Sequence, residues 1–275
     1  MSRLPTRRVA QQRPGRPIRR SSAGLSRTRA LAGLVLVLAG LAIYGVGASP
    51  VFAFRQPLDL EGASYTSAAD VSALLGISEG TNLVTLRTDS LATRLAGLPA
   101  VRSAEVRVIL PNTIRVRLEE RQAILVWQTA TGRFLVDAGG VAFVQLATGV
   151  ASPGGLPTIT DSRATSATAI AIGSAIDPIA FDVATRLGSL VPANIDSAAN
   201  GLLVSLSDDQ GFTVKAVPSL WTAVFGIYVT SLRPPSIIPG QVRLLKSLIA
   251  GREETIESII LADTENGTFT VKPKP

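Results

Sequence analysis

The sequence predicts an α+β chain with three parts: a single N-terminal membrane-crossing helix, a β-α-α-β-β unit, and a mainly β region with peripheral helices. Three observations carry this. An arginine-rich stretch precedes a long uncharged one. Two short apolar helical stripes lead into a pair of alternating strands. Glycine-marked turns then separate β-type segments through much of the remainder.

Residues 1–29 hold nine arginines (Arg3, Arg7, Arg8, Arg13, Arg16, Arg19, Arg20, Arg27 and Arg29) and no acid, and residues 30–54 carry no charge at all. As a helix, roughly 20 apolar residues cross ~30 Å of hydrocarbon. The span is therefore placed at 30–54, with Tyr44, Phe52 and Phe54 near its far end, where aromatic rings favour the interface. The arginine excess orients residues 1–29 as a basic cytoplasmic tail and sends the bulk of the chain outside the plasma membrane. A cleaved signal peptide is the rival reading, because Val46-Gly47-Ala48 and Val51-Phe52-Ala53 offer small-residue cleavage sites. Such peptides usually have a shorter basic region and an apolar core of about 7–15 residues, which favours an anchor.

The formal charge is +7, but outside the tail 18 basic side chains face 20 acidic ones. The basicity belongs to the tail, so the folded part is not a specific nucleic-acid reader. The chain has neither cysteine nor histidine. That excludes disulfides, thiol nucleophiles, Cys or His zinc ligands and any histidine-dependent triad. Gly76-Ile77-Ser78-Glu79-Gly80 fits a nucleophile-elbow pattern, yet it follows a helical stretch and has no histidine to serve it, so Ser78 reads as a loop residue. The four lysines (Lys215, Lys246, Lys272, Lys274) show no S-x-x-K spacing. Asn266-Gly267-Thr268 matches a glycosylation sequon but reads better as a turn. No catalytic, cofactor or metal residue is expected.

Within 55–122, Leu58-Asp59-Leu60 before Glu61-Gly62 suggests a short strand. Thr66 or Ser67 caps a helix with Val71, Leu74 and Leu75 on one face and Gly76 as its stop. Thr88 or Asp89 opens a second helix, striped by Leu91, Leu95 and Leu98 and ended by Pro99. Val106, Val108 and Leu110 then alternate with Arg107 and Ile109. After a Pro111-Asn112 turn, Ile114, Val116 and Leu118 alternate with Arg115, Arg117 and Glu119.

Leu98-Pro99-Ala100-Val101-Arg102-Ser103-Ala104-Glu105-Val106, continuing through Leu110–Val116 to Glu119-Glu120-Arg121, resembles the POTRA domain of the FtsQ/DivIB bacterial cell-division proteins. Ala123–Trp127 and Phe134–Gly140 resemble the start of that family's second, β-rich domain. The resemblance implies a 55–122 POTRA domain, a 123–275 β domain and a non-enzymatic division scaffold at the septum. On the residues alone, Glu119, Glu120 and Arg121 read as a solvated strand end, Asp137 as a turn aspartate, and Trp127 and Trp221 as core.

In the second part, residues 123–146 suggest two or three strands around Gly132 and Gly139-Gly140. The Ser-, Thr-, Ala- and Gly-rich stretch 147–177 reads as a loose linker. Asp177-Pro178 opens a helix with Phe181, Ala184, Leu187 and Leu190 as its stripe. Gly201–Leu206 and Phe212–Val217 flank a hairpin turn, and Val242, Leu245, Leu248 and Ile249 mark a last helix closed by Gly251. Ile256–Ala262 and Thr268–Lys272 form a closing strand pair. If the final strand lies at a sheet edge, its free amides and carbonyls can pair with another protein's strand. The resemblance implies FtsB-like and FtsL-like bitopic partners. By position, the contact residues are Leu261, Thr268, Phe269, Thr270 and Val271. Two other readings remain open: a POTRA-bearing transport or secretion component, and an extracytoplasmic hydrolase using carboxylates alone.

Overall fold

The computed structural model describes residues 27–47, 49–55, 58–218 and 221–273. Seven of the nine tail arginines, Arg3 to Arg20, lie outside the described residues. The chain divides into two compact units, Met1–Pro50 and Val51–Pro275. In the first, helix α1 (Arg27–Gly47) has no buried residue and no acid in its first turn. A helix that is apolar all round, with no packed face, is suited to hydrocarbon rather than to a soluble core. Its 21 residues make it long and apolar enough to cross a membrane.

The structure shortens the predicted 30–54 span. α1 stops at Gly47, and Pro50–Phe52 is a separate 3-10 turn. Phe54 is not an interfacial aromatic. It is 2% exposed in the core of the second unit, its amide donating to Thr81 O (2.8 Å) and its carbonyl accepting from Gly80 N (3.1 Å). An uncharged aromatic suits either environment, so sequence alone could not separate them.

The β-α-α-β-β order holds: β1 (Asp59–Glu61), α2 (Ala68–Leu75), α3 (Thr88–Ala96), β2 (Val101–Ile109) and β3 (Thr113–Glu120). Ser67 is the true N-cap of α2, accepting from Asp70 N, and Gly76 closes the helix at φ +62°. α3 begins at Thr88 without a side-chain cap and ends at Gly97, before Pro99 is reached. The small sheet runs β1-β3-β2, with β1 parallel and β2 antiparallel to β3. Val106, Ile114, Val116 and Leu118 point inward against Val71, Leu75, Leu91 and Leu95. On the outer face Arg115 and Arg117 stand opposite Asp59 and Glu61, with contacts of 2.6 and 2.8 Å. Opposite charges facing each other across strands favour this register.

The large sheet has nine strands in the order β12-β11-β10-β9-β8-β7-β4-β5-β6. β4 (Ala123–Thr129), β5 (Gly132–Asp137) and β6 (Ala142–Leu146) form a meander. β7 (Thr158–Asp161) pairs parallel to both β4 and β8. This corrects the linker reading of 147–177: the segment supplies an interior strand. Four residues, three of them polar, leave no alternation to read, yet Ile159 is fully buried. After the short α4 (Ser166–Ala169), Asp177 caps α5 (Pro178–Gly188), as expected. β8 (Gly201–Ser207) and β9 (Gly211–Val217) form the hairpin. β10 (Thr222–Gly226), α6 (Ile238–Ile249) and β11 (Ile256–Leu261) make a parallel crossover, and β12 (Gly267–Val271) folds back on β11.

α5 and α6 share one core with Trp127, Phe134, Ile159, Trp221 and Phe225. Both tryptophans carry a polar tether. Trp127 Nε1 donates to buried Asp161 (3.1 Å) and Trp221 Nε1 to Glu253 (2.7 Å). The opposite face of β4–β6 is covered from the small unit, where Ala100 packs with Val126, Leu135 and Phe143. Tyr65 meets the Phe143 ring edge-on at 5.6 Å.

Gly211 tests this packing. Its φ is +66°, and a Cβ there would lie 2.3 Å from the Gly226 carbonyl. Gly211→Ala is expected to cost about 2 kcal/mol or more, read by urea unfolding of the 51–275 segment.

Candidate functional site

β12 is made by its turn. The Asp263 carboxylate accepts from the Glu265 and Asn266 amides (2.7 Å each) and from Asn266 Nδ2 (2.6 Å). The Asn266 side chain is the largest influence holding the Asp263 carboxyl below its ordinary range, ahead of the two amides. Gly267 then passes under α6, where a Cβ would lie 3.1 Å from Leu248 Cδ1. A larger residue there would press on the Leu248 and Leu244 side chains.

From there β12 runs antiparallel to β11, with Leu261 opposite Gly267, Ile260 opposite Thr268, Ile259 opposite Phe269 and Ser258 opposite Thr270. Phe269 shares the face of buried Ile259, remains 38% exposed, and lies under the Arg252 guanidinium at 5.3 Å. Thr268 and Thr270 occupy the other face beside exposed Ile260, with Thr270 Oγ1 2.6 Å from Ser258 Oγ. Val271 is exposed opposite Ile256. Thr268, Phe269, Thr270 and Val271 thus lie together on one strand. Leu261 does not join them. Its side chain is 1% exposed in the core, and its carbonyl accepts from Arg233 Nη2 and Gln241 Nε2. Its position in the alternation of β11 turns it inward, so it drops out of the contact surface.

The two edges of the large sheet differ. On β6 the outer side is covered at its start: Ala142 N donates to Ser174 O (2.9 Å), Gly173 N donates to Ala142 O (2.7 Å), and Val141 bridges to Ala175. Among the described residues, no strand or loop pairs with the outer side of β12. An edge strand left this way is a template for another chain.

A second arrangement ties the β4–β5 end of the large sheet to the small unit. Glu119-Glu120-Arg121 is not merely solvated. Glu120 accepts from the amides of Ser64, Tyr65 and Thr66 at 2.6–2.8 Å. Arg121 donates to Pro99 O (2.9 Å) and pairs with Asp137 at 2.5 Å. Asp137 is also the expected turn aspartate, accepting from Gly139 N and Val141 N (2.9 Å each). Partial burial pulls the Glu120 carboxyl upward. The nearby Thr66 hydroxyl, short of a full hydrogen bond, and the three amides more than reverse this and leave it below the ordinary value. Glu253 follows the same pattern: burial raises it, while Ser197, the Ala198 amide and Trp221 lower it further.

Comparison with known proteins matches residues 58–121 to the FtsQ-type POTRA domain model. Residues 58–121 are an FtsQ-type POTRA domain. The chain is 28% identical to the cell division protein FtsQ of Mycobacteroides abscessus over 190 residues, 66% of this chain and 57% of that one. It is 28% identical to FtsQ of Geotalea daltonii over 199 residues, 70% of this chain and 66% of that one. With FtsQ of Agrobacterium fabrum it shares 34% over 91 residues, 33% of this chain and 29% of the relative. The chain therefore spans from under a third to about two thirds of the relatives it matches.

Sequence reasoning missed the junction formed by Glu120, Arg121 and Asp137, and the Trp127–Asp161 and Trp221–Glu253 tethers. Each joins residues at least 16 positions apart, and no local period marks such a pairing.

Two expectations follow. In a double-mutant cycle, Arg121→Leu and Asp137→Asn should show a coupling of about 1 kcal/mol or more. Glu120 and Glu253 both titrate below the ordinary 4.5 in the folded chain. Their stabilisation is complete above that value and is lost as pH falls through the folded values. Unfolding midpoints of the 51–275 segment should drop below about pH 4.5, and a Glu120→Ala, Glu253→Ala double variant should flatten the drop.

Proposed function

We propose that this protein is a non-enzymatic, single-pass scaffold of the bacterial division machinery. Its tail is cytoplasmic and its bulk extracytoplasmic. A POTRA domain at 55–122 and a β domain at 123–275 recruit FtsB-like and FtsL-like bitopic partners. The observation that carries this reading is the open outer side of β12, in a sheet whose opposite edge is covered at its start by residues 173–175. A partner segment adding as a tenth strand gains main-chain hydrogen bonds for affinity. Phe269 and Val271 on one face, and Thr268 and Thr270 on the other, offer side-chain selectivity. Anchoring both proteins in one membrane raises their effective concentration, so a weak edge contact suffices.

The names of the matched relatives support the division role. The non-catalytic reading rests on a composition without cysteine or histidine. It also rests on the structural use of the buried acid Asp161, which is held by Trp127 and Arg163.

An N-terminal fluorescent fusion, imaged while the native protein is depleted, should form a band at the division site, with filaments or chains on depletion. Uniform membrane signal with normal division would overturn the reading. Thr268→Glu and Thr270→Glu place charge on an exposed edge. Each should weaken co-purification with the FtsB-like partner by about tenfold while leaving the unfolding midpoint of the 51–275 segment unchanged.

A further inference from the structure

Residues 227–234, which follow β10, form a small hairpin closed by Val229 N to Arg233 O and Arg233 N to Val229 O (3.1 Å each). Three large apolar side chains stand out from it: Leu232 is 88% exposed, Ile227 58% and Val229 41%. This segment is pinned. Arg233 Nη2 donates to the carbonyls of Phe225 and Leu261, its guanidinium lies 5.6 Å over the Tyr228 ring, and the Tyr228 hydroxyl donates to Gln241 at 2.6 Å. An apolar tip on a fixed root has little ordering entropy left to lose on binding.

Between this hairpin and the first turn of α5 lies a cleft of about 200 Å³, floored by buried Leu206 and Phe212 and walled by Ile179 and Ile227. Small-molecule sites run to roughly 300–1,000 Å³, so this cleft suits one inserted side chain. Its charge says which kind. Arg163 lies here, its Nε and Nη2 donating to Asp161 at 3.0 and 2.8 Å, and its charge also acts on Asp177 and Asp208. With Arg163 balanced by Asp161, the rim keeps an excess of two exposed carboxylates, Asp177 and Asp208. Each uses Oδ2 to accept a backbone amide, from Ala180 and Ala164 respectively (2.8 Å each). The rim is acidic and the surroundings apolar. An anionic lipid surface would be repelled, whereas a cationic side chain flanked by apolar residues is complementary.

We propose that this cleft is a second docking site, taking an extended segment of a partner protein in which a lysine or arginine is flanked by apolar residues. The cation enters between Asp177 and Asp208, and the apolar neighbours cover Ile227 and Leu232. The site is separate from the outer side of β12 and does not depend on it.

The test uses the full chain in zwitterionic nanodiscs and a short fluorescein-labelled peptide of alternating leucine and arginine, read by anisotropy. A leucine–glutamate peptide is the control. Asp177→Asn/Asp208→Asn removes both charges while asparagine keeps the cap and the amide acceptor. That variant should weaken the arginine peptide by about tenfold or more, with an unchanged thermal midpoint. Thr270→Glu should leave binding intact, which separates this site from β12. Equal binding of both peptides, or no loss in the double variant, would overturn the proposal. So would binding of anionic vesicles that requires Leu232.

Discussion

The tie at the end of β3 is the constraint on which the rest of the structure depends. Only Arg121 and Gln122 separate β3 from β4, and the two residues at this joint face in different directions. Glu120 reaches back to hold the amides that lead into α2, while Arg121 reaches forward to Asp137 at the end of β5. A half-buried ion pair is not in itself a large source of stability. What it does here is fix an angle. With the strands locked in this sense, Ala100 and Tyr65 close over Val126, Leu135 and Phe143, and the POTRA sheet and the large sheet become parts of one compact unit.

The same joint decides what stays open. α5 and α6 belong to crossovers between parallel strands, and both pack into the core on one face of the large sheet. The small unit covers the other face only over β4, β5 and β6. The far half, from β8 to β12, keeps Leu203, Ile260, Thr268 and Thr270 exposed. Among the described residues nothing pairs with the outer side of β12, and that edge is at the end of the sheet farthest in strand order from the POTRA contact.

The legible and illegible parts of the sequence differ in how far apart the interacting residues lie. The β2–β3 hairpin was readable because alternation and turn sit within twenty-odd residues, and the structure reproduces Val106 opposite Val116 and Arg107 opposite Arg115. Asp177-Pro178 and Asn266-Gly267 were readable because cap and turn chemistry is local. β7 was not, since its place in the sheet is set by β4 and β8 rather than by its own four residues. Phe54 was misassigned because an aromatic after an apolar run suits interface and core alike. On the edge strand, the alternation placed Thr268 to Val271 together. Leu261 belongs to the neighbouring strand, whose inward residues answer to α6 and the Gln241 side chain.

The most direct test of the account is amide hydrogen exchange along residues 267–271 of the full chain, with and without the proposed FtsB-like partner. Strand addition engages the outward-facing amides of β12, so exchange should slow at alternate residues of that strand. The POTRA strands and β6 should stay unchanged. Partner binding that leaves every β12 amide exchanging at its free rate would contradict the account.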